Sequence, residues 1–255
     1  MKLFRILCGI AALLGASAYA TAHEQKNVDL VLVLAIDASG SMDAKRWKIQ
    51  LEGYATALRS EDVLNAIHTG RNRAIAIEMV IWADKQKSVG WHIIHDKASA
   101  EAFAKLVQNL PRPSLGSSTD IAGAISFSTK LILESRFATG YGAPRRVIDV
   151  SGDGTQNVMS ASAVLPPASY GLASEGALPH ARKIAIGHGI TINGLAIKED
   201  SDSIIHYYYY NEVIGGHGAF MLVVEDANDL ELFTRAIRRN LVLEISALEI
   251  GTKNG

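Results

Sequence analysis

After residue 20 the 255-residue chain contains no cysteine; its single one, Cys8, sits in the first apolar stretch. Disulfide scaffolds, thiolate nucleophiles and cysteine-ligated metals are thereby excluded for the rest of the chain. A cationic excess is missing too. The 25 Lys+Arg and 26 Asp+Glu give a formal net charge of -1, which leaves no electrostatic footprint for nucleic acid and no acidic solvating tail. Beyond residue 20 no run is long and apolar enough to read as a transmembrane helix. Three catalytic signatures are also absent. There is no H-E-x-x-H of a zinc peptidase, no G-x-G-x-x-G after the first strand pattern, and no G-x-S-x-G elbow of an acyl-transfer hydrolase.

The start of the chain reads as an export signal. Lys2 and Arg5 precede an apolar stretch over 6–18, and Ala18-Tyr19-Ala20 has the A-x-A form of a cleavage site. Cleavage near Ala20 or Ala22 leaves a periplasmic or secreted protein with a net charge of about -3. Without disulfides, its stability rests on packing, with or without a bound metal. We expect a short tail over 21–27, one domain over 28–246 and a second tail over 247–255.

Strand and helix patterns alternate through that domain. Residues 30–36 form a continuous apolar run, the mark of a strand covered on both faces. Residues 43–59 place Trp47, Leu51, Tyr54 and Leu58 at helical spacing. Residues 74–82 read as a strand, 84–88 as a polar turn and 89–94 as a returning strand. Helices are expected over 98–110 and 120–133, and strands over 147–150, 190–197 and 219–224. The stretch 157–179, rich in Ala, Ser, Gly and Pro, reads as an irregular excursion. A short helix is expected over 202–211 and the last helix carries Leu230, Phe233, Ile237 and Leu241. The alternation predicts an α/β fold: a doubly wound, mostly parallel central sheet with helices on both faces and an antiparallel edge strand. Arg145 and Arg146 read as solvated, and the tyrosines 207–210 as partly packed against the glycine turn 215–218.

Oxygen-bearing side chains gather where such sheets bind ligands, beyond the carboxyl ends of the strands. Asp37, Ser39 and Ser41 follow the first strand at i, i+2, i+4. "GSSTD" places Thr119 just ahead of a helix, and "SGDG" places Asp153 beyond the strand 147–150. An all-oxygen set with few formal charges suits a hard divalent cation. The alternative is plain helix capping, by Ser41 or Asp43 at one helix and by Thr119 or Asp120 at the other, with Asp153-Gly154 as a turn.

Asp37-x-Ser39-x-Ser41, Thr119 and Asp153 resemble the metal-ion-dependent adhesion site (MIDAS) of von Willebrand factor A domains. The likeness runs from about Val28 to Leu243. The strings "RRVIDVSGDGTQN", "GITINGL" and "NEVIGGHGAF" further resemble an uncharacterised family of exported bacterial proteins carrying this domain. The resemblance implies that Ser39, Ser41 and Thr119 give hydroxyl oxygens to Mg²⁺, with Mn²⁺ or Ca²⁺ as alternatives. It further implies that Asp37 and Asp153 act mostly through bound water. A protein ligand presenting Asp or Glu would complete the coordination. The expected function is a metal-dependent protein-interaction module, not an enzyme. The competing expectation is a Mg²⁺-dependent hydrolase of a phosphate ester using the same site. Against it, an aspartyl nucleophile at Asp37 would want a second carboxylate two positions on, where Ser39 stands.

Overall fold

The computed structural model describes residues 27–137, 144–158, 177–198 and 204–246. Residues 1–26, which include the expected export signal, and residues 159–176 of the excursion lie outside the described residues.

Strand β1 (Leu30–Asp37) carries no polar side chain before Asp37, and all of it is buried. A strand sealed on both faces has no solvent side toward which to alternate, which is why the run is continuous. It lies centrally in the sheet order β3 (Gln86–Ser88), β2 (Ile75–Trp82), β1, β5 (Arg145–Gly152), β6 (Thr191–Ile197), β7 (Met221–Val224), with β4 (His92–Ile94) also on β2. Strands β2, β1, β5, β6 and β7 pair in parallel; β3 and β4 are antiparallel to β2. One face, presenting Leu30, Leu32, Leu34 and Ile36, is covered by helices α1 (Ala44–Arg59), α2 (Glu61–Thr69), α3 (Lys97–Gln108) and α7 (Leu230–Ser246). The other, presenting Val31, Val33 and Ala35, is covered by α4 (Ile121–Glu134), α5 (Ala177–Gly187) and α6 (Ile205–Tyr208). The sheet is therefore doubly wound, as its pattern predicted. The winding reverses between β1 and β5, so a crevice opens beyond their carboxyl ends.

Four expectations need correction. Helix α2 has no counterpart in the sequence reading, although its start is well signalled. Ser60 caps it by accepting from Val63 N at 3.4 Å while donating to Ala57 O at 2.7 Å, so one serine ends α1 and begins α2. Secondly, the returning strand begins inside the expected polar turn and is broken in two. Val80 pairs with Ser88 and Ile77 with His92, leaving one extra residue on the edge side, a β-bulge. Gly90 supplies its positive φ of 113°. The buried Glu78 carboxylate fixes it, Oε1 accepting from Ser88 Oγ, Val89 N and Gly90 N at 3.0, 2.9 and 2.7 Å. Thirdly, Arg145 is not a solvated flank: it starts β5 and donates to Glu244 O at 2.6 Å. Lastly, the tyrosines do not share one environment. Tyr209 is fully buried, whereas Tyr207 and Tyr210 are exposed.

A polar layer runs through the α1/α7 face. Asp149 on β5 and Asn193 on β6 are register partners, and they face Asn240 and Glu244, one turn apart on α7. Asn240 Nδ2 donates to Asp149 Oδ2 at 2.7 Å and Asn193 Nδ2 to Glu244 Oε1 at 2.9 Å. All four side chains are buried, and Asp149 Oδ1, Asn240 Oδ1 and Glu244 Oε2 have no hydrogen-bond partner. Burial pushes the Asp149 carboxyl up to about 7 and holds Glu244 well above its usual range.

Candidate metal centre

Three loops meet at the β1/β5 crevice. Asp37 ends β1, and its Oδ1 accepts from Ser39 N at 2.7 Å, which turns the chain back over the strand end. The Ser39 and Ser41 hydroxyl oxygens lie 3.2 Å apart, and Ser41 Oγ donates to Asp153 Oδ1 at 2.6 Å. Gly40 N donates to Ser117 O at 2.9 Å and stitches the first loop to the second. Thr119 reaches the third loop: its Oγ1 is 3.0 Å from where a Cβ on Gly154 would stand. Ser39, Ser41, Thr119 and Asp153 line one polar cavity of about 330 Å³ together with Ser117, Gly154, Thr155 and Asn157. Asp37 does not line it; the carboxyl stands beneath, fully buried.

Helix capping falls to other residues. Asp43 caps α1, accepting from Arg46 N at 2.8 Å, and Asp120 caps α4, accepting from Gly123 N at 3.0 Å. The hydroxyls of Ser41 and Thr119 are thus not needed to satisfy first-turn amides.

The electrostatics of the cluster disfavour two bare carboxylates. Burial first, and then the charge of Asp153, push the Asp37 carboxyl from its ordinary 3.8 up to about 7, against the opposing hydrogen bonds from Ser39. Asp37 Oδ2 is buried and has no hydrogen-bond partner. Cationic side chains stand at the rim. Arg46 Nη1 lies 3.7 Å from Asp153 Oδ2 and donates to Ser41 O at 3.2 Å. Arg112 Nη2 donates to Ala38 O at 3.1 Å and Ser39 O at 2.9 Å.

Several residues that shape the site escaped the sequence reading. Asn157 and Thr119 bind each other's backbones, Thr119 N to Asn157 Oδ1 at 2.7 Å and Asn157 N to Thr119 O at 3.1 Å. Gln156 Nε2 reaches Asp120 Oδ1 at 3.1 Å and its Oε1 accepts from Ala122 N at 2.9 Å. Their signal was the "TQN" after Asp153-Gly154. Gln50, buried in α1, donates to Asp37 O at 3.0 Å. Arg112 was visible only as the residue between two prolines.

The donor set fits a small divalent cation. An octahedral site with metal–oxygen bonds of about 2.1 Å has edges of about 3.0 Å. The Ser39–Ser41 hydroxyl separation of 3.2 Å matches one such edge. The unpartnered Asp37 oxygen supplies buried negative charge that a cation above it would compensate. Among the described residues no group of three His, Cys, Asp or Glu side chains forms a metal cluster; a cation at this cavity would rest on neutral hydroxyls.

The profile of the family described as "Protein of unknown function (DUF1194)" matches residues 27–249. No curated protein matches the chain. Among solved structures, the fold is similar to that of the pilus adhesin SpaC from Lactobacillus rhamnosus GG in its open conformation. The TM-score is 0.56 at 14% identity, over 87% of this chain and 31% of that one. A von Willebrand factor type A protein from Catenulispora acidiphila gives 0.54 at 18% identity, over 86% and 43%. Proximal thread matrix protein 1 from the mussel byssus, with a zinc-occupied MIDAS motif, gives 0.52 at 14% identity, over 86% and 48%. The chain spans less than half the length of each of these structures. At such identities the likeness is one of fold.

Proposed function

The chain belongs to the family described as "Protein of unknown function (DUF1194)", and from that membership, its von Willebrand factor A-like fold and the loop cluster we propose that it is an exported, metal-dependent protein-interaction module. The Ser39, Ser41 and Thr119 hydroxyls hold Mg²⁺, Mn²⁺ or Ca²⁺, while Asp37 and Asp153 orient the hydroxyls and supply the balancing charge. When bound, the cation offers an electrophilic vertex to a carboxylate of an acidic partner. Arg46 and Arg112 add positive charge around the same opening, which favours an acidic partner and penalises a basic one. The carrying observation is the convergence of Ser39, Ser41, Thr119 and Asp153, from three distant loops, on one open polar cavity. The adhesin SpaC and the zinc-occupied MIDAS of the mussel protein support the reading by likeness of fold. Among the described residues no helix is long and apolar enough to cross a membrane.

No observation favours the hydrolase alternative. Asp37, the carboxylate such a mechanism would use as nucleophile, is fully buried beneath the cavity, out of reach of a phosphate ester entering from solvent.

The test is a pull-down from the envelope of the exporting cell with the processed protein as bait, in Mg²⁺ and in chelator. We expect at least one protein retained in Mg²⁺ and released by chelator, and not retained by Ser41→Ala. Retention of the same proteins in chelator and by Ser41→Ala would overturn the proposal.

A further inference from the structure

Behind Asp37, residues of three separate strands and one short helical segment pack together. Asp37 and Trp82 are register partners on β1 and β2. Gly152 ends β5. From the opposite side comes Tyr209, the first residue of a π-turn, Tyr209–Val213, that continues α6. A Cβ on Gly152 would stand 2.7 Å from the Tyr209 hydroxyl oxygen, 2.9 Å from Asp37 Oδ2 and 3.2 Å from Trp82 Cζ2. The phenol oxygen and the inner carboxylate oxygen therefore both border the one point that a side chain on Gly152 would occupy. A second glycine serves the same ring: a Cβ on Gly194 of β6 would stand 2.9 Å from Tyr209 Cδ1. Two glycines in the central strands β5 and β6, where side chains normally pack, are what let this ring lie against the backbone and reach the metal-site aspartate.

Polar atoms of these residues are buried and unused. Asp37 Oδ2 is a buried acceptor without a partner; the Tyr209 hydroxyl and Trp82 Nε1 are buried donors without one. Burial, and then the Asp37 charge, hold the Tyr209 phenol well above its ordinary range, so it stays an O–H donor at physiological pH. The neighbouring Tyr208 belongs to the same arrangement, its hydroxyl accepting from Gln156 N at 3.1 Å in the Asp153 loop. A π-turn is wider than an α-turn and is a feature that recurs at functional sites.

We propose that Tyr209 is a positioning residue of the metal centre, donating its phenol O–H to the inner oxygen of Asp37 in the metal-loaded protein. A fixed carboxylate beneath hydroxyl ligands is worth more to a cation than a mobile one, because its orientation is already set. This inference rests on the metal-binding reading of Asp37, Ser39, Ser41, Thr119 and Asp153.

Tyr209→Phe keeps the ring between Gly152 and Gly194 and removes only the hydroxyl. Mg²⁺ and Mn²⁺ affinities are measured by calorimetry on the processed protein, and the melting temperature is measured in chelator. Loss of a donor to a metal-site carboxylate is expected to weaken metal binding about 10–100-fold. In chelator the melting temperature is expected to stay level or rise, since a buried hydroxyl without a partner has been removed. A purely packing role for Tyr209 is kept by the phenylalanine ring and predicts an affinity within twofold of wild type, whatever the melting temperature in chelator. That outcome overturns the inference and leaves the metal site standing. A wild-type protein that binds neither cation overturns both.

Discussion

Titrated with Mg²⁺, the wild-type protein gives a one-site isotherm, and Asp37→Ala and Thr119→Ala each lose most or all of it. The two variants remove different things. Thr119→Ala deletes one neutral oxygen at the cavity wall. The cap of α4 survives, because Asp120 makes it, and so do the backbone bonds between Thr119 and Asn157. Any lost heat therefore reports the hydroxyl. Asp37→Ala deletes buried charge. In the metal-free protein that deletion removes a carboxyl pushed up to about 7 by burial and by Asp153, but it also leaves the Ser39 N–H without its acceptor. The variant is therefore judged by its response to metal, not by its baseline stability. A cation at about 100 times its dissociation constant stabilises the fold by about 2.7 kcal/mol. For a domain of this size that amounts to a rise of roughly 5–10 °C in melting temperature. The rise is expected in wild type and not in Asp37→Ala. Equal heats from wild type and both variants would reject the site.

Asp149→Asn is expected to stabilise the metal-free protein at pH 8 by on the order of 2–4 kcal/mol, and to change little at pH 4. The sign follows from the raised carboxyl. The folded protein keeps the Asp149 proton up to about pH 7, whereas the unfolded chain gives it up near pH 4. Between those values the folded state binds more protons, so wild-type stability falls as pH rises and levels off above about 7. Glu244, raised by burial and then by Asp149, extends the same decline. The amide substitution has no proton to lose. Its oxygen can still accept from Asn240 Nδ2, and its new N–H can satisfy Asn240 Oδ1, which has no partner in the wild-type protein. Denaturant melts of both proteins in chelator at pH 4 and pH 8 decide the matter. Parallel pH profiles would show that Asp149 is not the titrating group.

What could be read from the sequence was whatever a short window encodes. The unbroken apolar run of β1 announces a strand buried on both sides, and Asp37-x-Ser39-x-Ser41 at its end announces the loop. Helix α2 was readable in the same way, with Ser60 ahead of Glu61 and Asp62 and an apolar face of Val63, Leu64 and Ile67, but its short length let it pass as part of the connection. The bulge at Gly90 was not readable, because its cause is Glu78 on a neighbouring strand. The layer beneath α7 joins Asp149 to Asn240, 91 residues away; nothing local distinguishes such an aspartate from a solvated one. Tyr209 lay hidden for another reason. In a run of four tyrosines, regular helical spacing cannot say which one turns inward, and the π-turn shifts the answer by breaking that spacing.

The two margins of the sheet govern how the protein behaves when concentrated. On one side the backbone row is interrupted at Gly90, between segments of three residues each; on the other, β7 is four residues long. Among the described residues neither margin offers an uninterrupted ladder for a second copy to extend. With a single cysteine in its sequence the chain has no internal disulfide to hold it shut, and it gains from these margins a defence against fibril-type self-association. Restoring a straight margin, by deleting Gly90, would forfeit it.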